Sequence, residues 1–301
     1  MTFRIADITS SSDFVSRINS QRSRVSVLQE QLSTQKRINR PSDDPSGAEM
    51  VLNLRTSQTE IHQFQRNADT ADQKLTAADD SMNGYQGILE RLKTLAAQGL
   101  SDTTTPEARN AIATEIDSLR SRVLSVANGR NGDEYLYGGT RQNSPPFDPV
   151  TGIPAATPTG SQFIQIEPGG NAIAVGVTAD SVFSDATSTI FADLTNAAAA
   201  LRGTGNPVAD KAALQNFNSR LGTYSGQVAN ARVIIGANMR STEITKDALS
   251  SNFLSLDQRA TDIEGADFAG TAIALTDAQR ALDATLQVVA QGRKSLFDYL
   301  G

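Results

Sequence analysis

From Met50, steps of alternating four and three residues reach Leu54, Ser57, Ile61, Phe64, Ala68, Ala71, Leu75, Ala78, Met82, Tyr85, Leu89, Leu92 and Ala96, and only Ser57 is polar. A 4-3 spacing held this long marks one continuous apolar seam along a helix, not the patchy stripe of a short globular helix. The pattern predicts a helix over 46–99, which at 1.5 Å per residue would be about 80 Å long. A compact chain of this size has a radius of gyration near ~19 Å, so the pattern implies an elongated molecule. A second helix follows from Pro106, with Ile112, Ile116, Leu119, Val123 and Val126 in phase. The link over 99–105 is short, so these two helices should fold back antiparallel. A third seam runs through Leu214, Phe217, Leu221, Tyr224, Val228, Ala231 and Ile235, then more weakly through Asn238, Thr242 and Thr245 to Leu249. Polar residues on that seam either set its register or mark a stretch that packs loosely until a partner arrives.

Proline punctuates the pattern. Asp44-Pro45, Thr105-Pro106 and Asn206-Pro207 each place a capping side chain before a proline at the first helical position, where its missing N–H costs nothing. Six prolines between 145 and 168 exclude helix there. Phe163-Ile164-Gln165-Ile166 and Ala172-Ile173-Ala174-Val175-Gly176-Val177 flank the turn signal Pro168-Gly169-Gly170. They read as two short strands of a loop-rich β insertion, with Tyr135-Leu136-Tyr137 before it and a short helix over 191–201 leading back.

Both ends carry the spacing again. Phe14, Ile18, Gln21, Val25, Leu28, Leu32 and Gln35 keep it near the start. Phe268, Ala272, Leu275, Gln279, Leu282, Leu286, Val289, Arg293, Leu296 and Leu300 keep it near the close. Neither stripe is wide enough for a helix stable alone in water, so both read as seams for partner helices. Residues 1–40 carry seven Lys or Arg against three Asp or Glu, and residues 257–301 carry four against seven. The two ends therefore attract each other.

Composition narrows the chemistry. The absence of Cys removes disulfides, thiol nucleophiles and thiolate metal sites, and a single His removes His-paired metal sites. A net charge of −6 argues against nucleic-acid binding, which needs a basic face. No apolar run approaches the ~18 residues of a membrane span, and the first residues lack the apolar stretch of a signal peptide. His62 follows the seam residue Ile61 and reads as a surface side chain. Asp43 and Asp44 read as a turn and cap rather than a catalytic pair. Asn131-Gly132-Asp133 lacks the further carboxylates of a calcium loop, and Gly203-Thr204-Gly205 lacks the strand and Lys of a phosphate loop. The expectation is a soluble protein that is not an enzyme, with no catalytic residues, cofactor or metal.

The segment Ile38-Asn39-Arg40-Pro41-Ser42-Asp43-Asp44-Pro45-Ser46-Gly47-Ala48 resembles the signature after the first helix of the flagellin superfamily. Leu275-Thr276-Asp277-Ala278-Gln279 and Leu296-Phe297-Asp298-Tyr299-Leu300 resemble that family's closing helix. The match covers roughly 1–140 and 205–301. Pro41 and Pro45 around the Asp pair, and Tyr137-Gly138-Gly139-Thr140 before Ser144-Pro145-Pro146-Phe147, are more similar to the hook–filament junction branch than to filament flagellins.

The resemblance implies a mainly α fold, an elongated antiparallel helical bundle or coiled coil with a small β-rich insertion. It implies an inner-tube domain from 1–40 and 265–301, a helical rod from 41–130 and 205–264, and an outward insertion over 131–204. It further implies export through the flagellar type III apparatus without a cleaved signal peptide, to the extracellular flagellum. There the chain would act as a structural adapter between hook and filament. Implied partners are further copies of the chain in a ring of the helical tube, another hook-associated protein on the hook side and flagellin on the filament side. An export chaperone would shield the C-terminal helix, since exposed apolar seams aggregate; no nucleic acid or membrane is implied. The assembly seam would comprise Phe14, Ile18, Val25, Leu28 and Leu32 with Phe268, Leu275, Leu282, Leu286, Val289, Leu296 and Leu300, and the signature turn Asn39 to Pro45. Burying each large apolar side chain is worth ~1.5–3 kcal/mol against ~1–2 kcal/mol of backbone entropy per ordered residue, so order at the ends should need neighbours. Two other readings stay open: a bulk filament flagellin, or a secreted coiled-coil module whose β insertion binds a ligand.

Overall fold

The computed structural model describes residues 3–300 except 156–159, 171 and 186, without the side chains of 3–12, 289 and 291–300. Helix α1 spans Phe3–Thr34, α2 Pro45–Leu100, α3 Pro106–Ala127, α4 Ala179–Phe183, α5 Ile190–Arg202, α6 Pro207–Glu264 and α7 Phe268–Leu300. Between α3 and α4 lie two antiparallel hairpins, β1 (Arg130–Asn131) with β2 (Glu134–Tyr135) and β3 (Phe163–Gln165) with β4 (Ala172–Ala174). The fold is mainly helical, built on the antiparallel pairs α2·α6 and α1·α7. Two compact units divide the chain, one formed by 1–59 with 251–301 and the other by 60–250.

The three helix starts are built as the sequence predicts. The Asp44 carboxylate accepts from the Gly47 N–H at 2.9 Å, Thr105 from Ala108 at 3.3 Å and Asn206 from Ala209 at 3.2 Å. Each cap satisfies one of the helix's free N–H groups, and the proline after it has none to satisfy.

In the unit formed by 60–250, the 4-3 series of α2 is the core. Leu75, Met82, Tyr85, Leu89 and Leu92 are fully buried against Leu221, Tyr224 and Val228 of α6 and against Ile116 and Val123 of α3. Helix α3 folds back on α2, and Arg91 meets Glu115 across the hairpin at 2.7 and 2.9 Å. Arg232 of α6 forks onto both carboxylate oxygens of Asp79 on α2, at 2.8 and 3.2 Å.

The stretch 131–204 holds more helix than the sequence pattern suggests. The five-residue α4 is too short for a 3.6-residue period to show, so it goes unpredicted. Its Phe183 sits 4.7 Å from the Tyr85 ring, 5.2 Å from Tyr137 and 6.0 Å from Phe147. The insertion thus shares one core with the long helices of its unit. The hairpin β3–β4, turned at Gly169 and Gly170 with φ of 101° and 114°, lays Ile166 and Val175 on Ala68 and Ala71.

This hairpin also explains the polar stretch of the α6 seam. Asn238 donates to the Ala174 carbonyl at 2.8 Å, and Thr245 to Glu167 Oε1 at 2.9 Å. Asn238 stands there because a strand carbonyl beside it needs a donor, and Thr245 because it meets the Glu167 carboxylate.

A polar knot fixes α5 to α6. Arg220 donates to Asp193 at 2.6 Å, Asp185 at 2.8 Å and Thr187 at 2.9 Å, while Tyr224 donates to Asp193 at 2.7 Å. Burial pushes the Asp185 carboxyl up. Hydrogen bonds from Thr187 and Ser188, with the Arg220 charge, outweigh it and hold the group at about 2.

Candidate assembly site

Helices α1 and α7 pair in the unit formed by 1–59 and 251–301. Along α1, Ile18, Gln21, Val25, Leu28 and Leu32 are half-buried at the 4-3 spacing, and Phe14 is exposed. Along α7, Ala272, Leu275, Leu282 and Thr285 are half-buried and Ala278 is buried, whereas its neighbour Gln279 is exposed. Phe268 is 62% exposed and Leu286 38%. Val289, Leu296 and Leu300 lie outside the described side chains.

Beside the half-buried stripes, Val15 and Val27 of α1 and Ile273 and Val288 of α7 are exposed. One pair of helices thus spends part of its apolar surface on itself and leaves the rest outside.

The signature turn is a set of interlocked caps. Gln35 ends α1 at φ 58°, in the left-handed region. Asp43 Oδ2 accepts from the backbone N–H groups of Asn39 at 3.0 Å and Arg40 at 2.8 Å, and Asn39 donates to the Lys36 carbonyl at 2.9 Å. Arg40 reaches Glu30 at 3.1 Å, while Pro41 and Ser42 are exposed. Asp44 caps α2 and also receives Arg37 at 3.2 Å. The Gly47 N–H, then Arg37 and Ser46, hold its carboxyl below the ordinary value despite partial desolvation. At Gly47 a Cβ would stand 2.6 Å from Asp44 Oδ2 and 2.7 Å from Ile38 Cδ1, so a larger residue would displace the tips of both side chains, the capping carboxylate among them.

The turn is tied to the α6–α7 link. Arg37 N–H donates to the Glu264 carbonyl at 2.6 Å, Ala266 N–H donates to the Gln35 carbonyl at 3.0 Å, and Lys36 pairs with Gly265. The Glu264 carboxylate takes Lys36 at 3.0 Å on one oxygen and Arg55 at 2.5 Å on the other. Burial raises this carboxyl, but the hydrogen bonds and charges of Lys36 and Arg55 win and leave it below its usual value. Sequence reading missed Glu264, Arg37 and Arg55, because their partners lie more than 200 positions away and no local spacing announces them. A Gly directly after a charged helix end, Glu264-Gly265, was the one available signal.

Among the described residues, no group of three or more His, Cys, Asp or Glu is placed to hold a metal ion, and no helix is long and apolar enough to cross a membrane. His62 is exposed and bonds to Gln65 at 3.0 Å. Asp43 and Asp44 are both engaged in caps, so neither is presented as an acid or base.

Residues 5–140 match the family model for the bacterial flagellin N-terminal helical region. Flagellar hook-associated protein 3 of Escherichia coli K12 is 26% identical over 279 residues, covering 85% of this chain and 86% of that protein. The crystal structure of Xanthomonas campestris FlgL superposes with a TM-score of 0.62 at 16% identity, covering 69% of this chain and 99% of that one. Hook-associated protein 3 of Legionella pneumophila gives a TM-score of 0.63 at 13% identity, covering 71% and 98%. At these identities the solved structures show the shared fold.

Proposed function

The chain belongs to the flagellin superfamily, and on that premise we propose that it is the adapter that joins hook to filament. It is a structural component of the extracellular flagellum and not an enzyme. The observation that carries the proposal is the α1·α7 pair, which brings both ends of the chain together and leaves Phe14, Phe268 and Leu286 exposed.

In this reading the pair formed from 1–40 and 265–301 packs into the inner tube with copies of itself. Residues 41–130 and 205–264 supply the rod, and 131–204 the outer part that braces neighbouring subunits. One edge of the ring meets another hook-associated protein and the other meets flagellin. Before export a chaperone covers the apolar stripe of α7. Each contact is driven by burial of Leu28, Leu32, Leu275, Leu282, Leu286 and Leu296, at ~1.5–3 kcal/mol per fully buried side chain. That gain roughly offsets the ordering entropy of one subunit, so neighbours complete the order.

Electron microscopy of a strain lacking the gene, with its medium assayed for flagellin, tests the adapter. Hooks without filaments, together with flagellin in the medium, are expected. Absent filaments with no other flagellin in the medium would make this chain the filament itself, and normal filaments would remove the adapter role.

A further inference from the structure

Within the unit formed by 1–59 and 251–301, the exit of α1 and the entry of α7 are bonded to each other and to α2 before either helix reaches its own pairing surface. Gln35 stands opposite Ala266, Lys36 opposite Gly265 and Arg37 opposite Glu264. We propose that this clasp is a latch that makes the roots of α1 and α7 order together, with Glu264 as its positioning residue.

The pair cannot hold itself by apolar burial. Among the described side chains α1 has no buried residue and α7 has only Ala278. Isolated helices with so little packing are marginal in water. Glu264 supplies what the seam lacks. Its carboxylate is 15% exposed and joins Lys36, on the α1 exit, to Arg55, on α2. Arg37 works in the opposite sense. Its guanidinium donates to the Ile263 carbonyl at 2.9 Å and to the Asp44 side chain that caps α2. Freeing α1 therefore breaks the bonds that seat α7, and the reverse holds too. Charge-assisted hydrogen bonds around one partly buried carboxylate are stronger than neutral ones, and removing their shared acceptor unlinks Lys36 from Arg55 in one step. Along both helices the seam positions stay half-buried past the roots, as at Ile18 and Leu282, while apolar positions beside the seam are exposed, as at Val27, Ile273 and Val288. The latch thus acts first on the turns that adjoin it, about 25–34 and 268–278.

This inference goes beyond the adapter role and stands whether or not the chain joins hook to filament. Hydrogen exchange of the full-length free protein tests it, comparing the wild type with Glu264→Ala. The chain has no Cys, so Arg37→Cys combined with Glu264→Cys can form one bridge only. Opposed residues of an antiparallel rung lie about 5.5 Å apart at Cα, within disulfide reach. In the wild type, amides of 25–34 and 268–278 should be protected. In Glu264→Ala both segments should exchange at least 10-fold faster together, while 85–96 and 221–235 stay as they were. The double-Cys variant should be fast when reduced and return to wild-type protection when oxidised. Unprotected roots in the wild type would overturn the proposal, as would a change in one helix without the other or no return on oxidation. If the Ala variant is loosened throughout, the oxidised and reduced double-Cys protein decides by the same criterion.

Discussion

At the scale of single residues, Arg220 shows how much one side chain holds. It satisfies Asp193 and Asp185 in a partly buried knot where Tyr224 donates to the same Asp193 oxygen and Ser188 to the other. Arg220→Met should cost about 2 kcal/mol in urea unfolding, because it leaves two carboxylates short of their cation. The pH dependence has a defined sign. Asp185 sits at about 2 in the folded chain against an ordinary 3.8, so its stabilisation is present above pH 4 and lost as pH falls toward 2. The Met variant should lose stability less steeply across that window, and an unchanged acid profile would contradict the assignment. Of the residue-scale features, the caps at Asp44, Thr105 and Asn206 were legible because cap and proline are adjacent in the chain. The Arg220 knot was not, since its carboxylates lie 27 and 35 positions away in a region of no fixed period.

Helices α2, α3 and α5 were legible to within a residue or two, because a 3.6-residue period repeats along them. The α6 pattern gave its start but faded at Leu249, well short of its end at Glu264. Met50 is the exception on the α2 line, being exposed while Val51 is buried. What the pattern could not give was the partner of each face. Ala68 and Ala71 belong to the seam by spacing, yet they are small because a hairpin, not a helix, lies over them. Ala71→Leu should therefore cost about 1–3 kcal/mol by overpacking. It should also speed amide exchange in β3 and β4, whereas Gln73→Leu on the exposed side should change neither. Equal effects at the two positions would mean that the hairpin does not depend on the small residues beneath it. The hairpin β1–β2 escaped notice for the same reason as α4: two-residue strands are too short for alternation to register.

At the scale of the whole molecule, the candidate assembly surface was legible as a spacing and a charge imbalance between the two ends. The clasp that roots it was not, because it joins segments from opposite ends of the sequence. Leu286 is the proposed seam residue at which assembly and export can be told apart. It is partly exposed on α7, so Leu286→Asp should leave the fold of 60–250 intact and permit secretion. It should prevent incorporation, because an unpaired carboxylate would be buried at the subunit contact. The assay is the amount of this protein in the medium against that retained on sheared flagella. Retention at the wild-type level would remove Leu286 from the assembly seam.

The most direct test of the adapter role is the position of the protein on intact flagella, read by immunogold electron microscopy with an antibody against residues 131–204. The account predicts gold confined to a single band where the hook ends and the filament begins. Gold distributed along the filament would contradict it and make the chain a bulk flagellin instead.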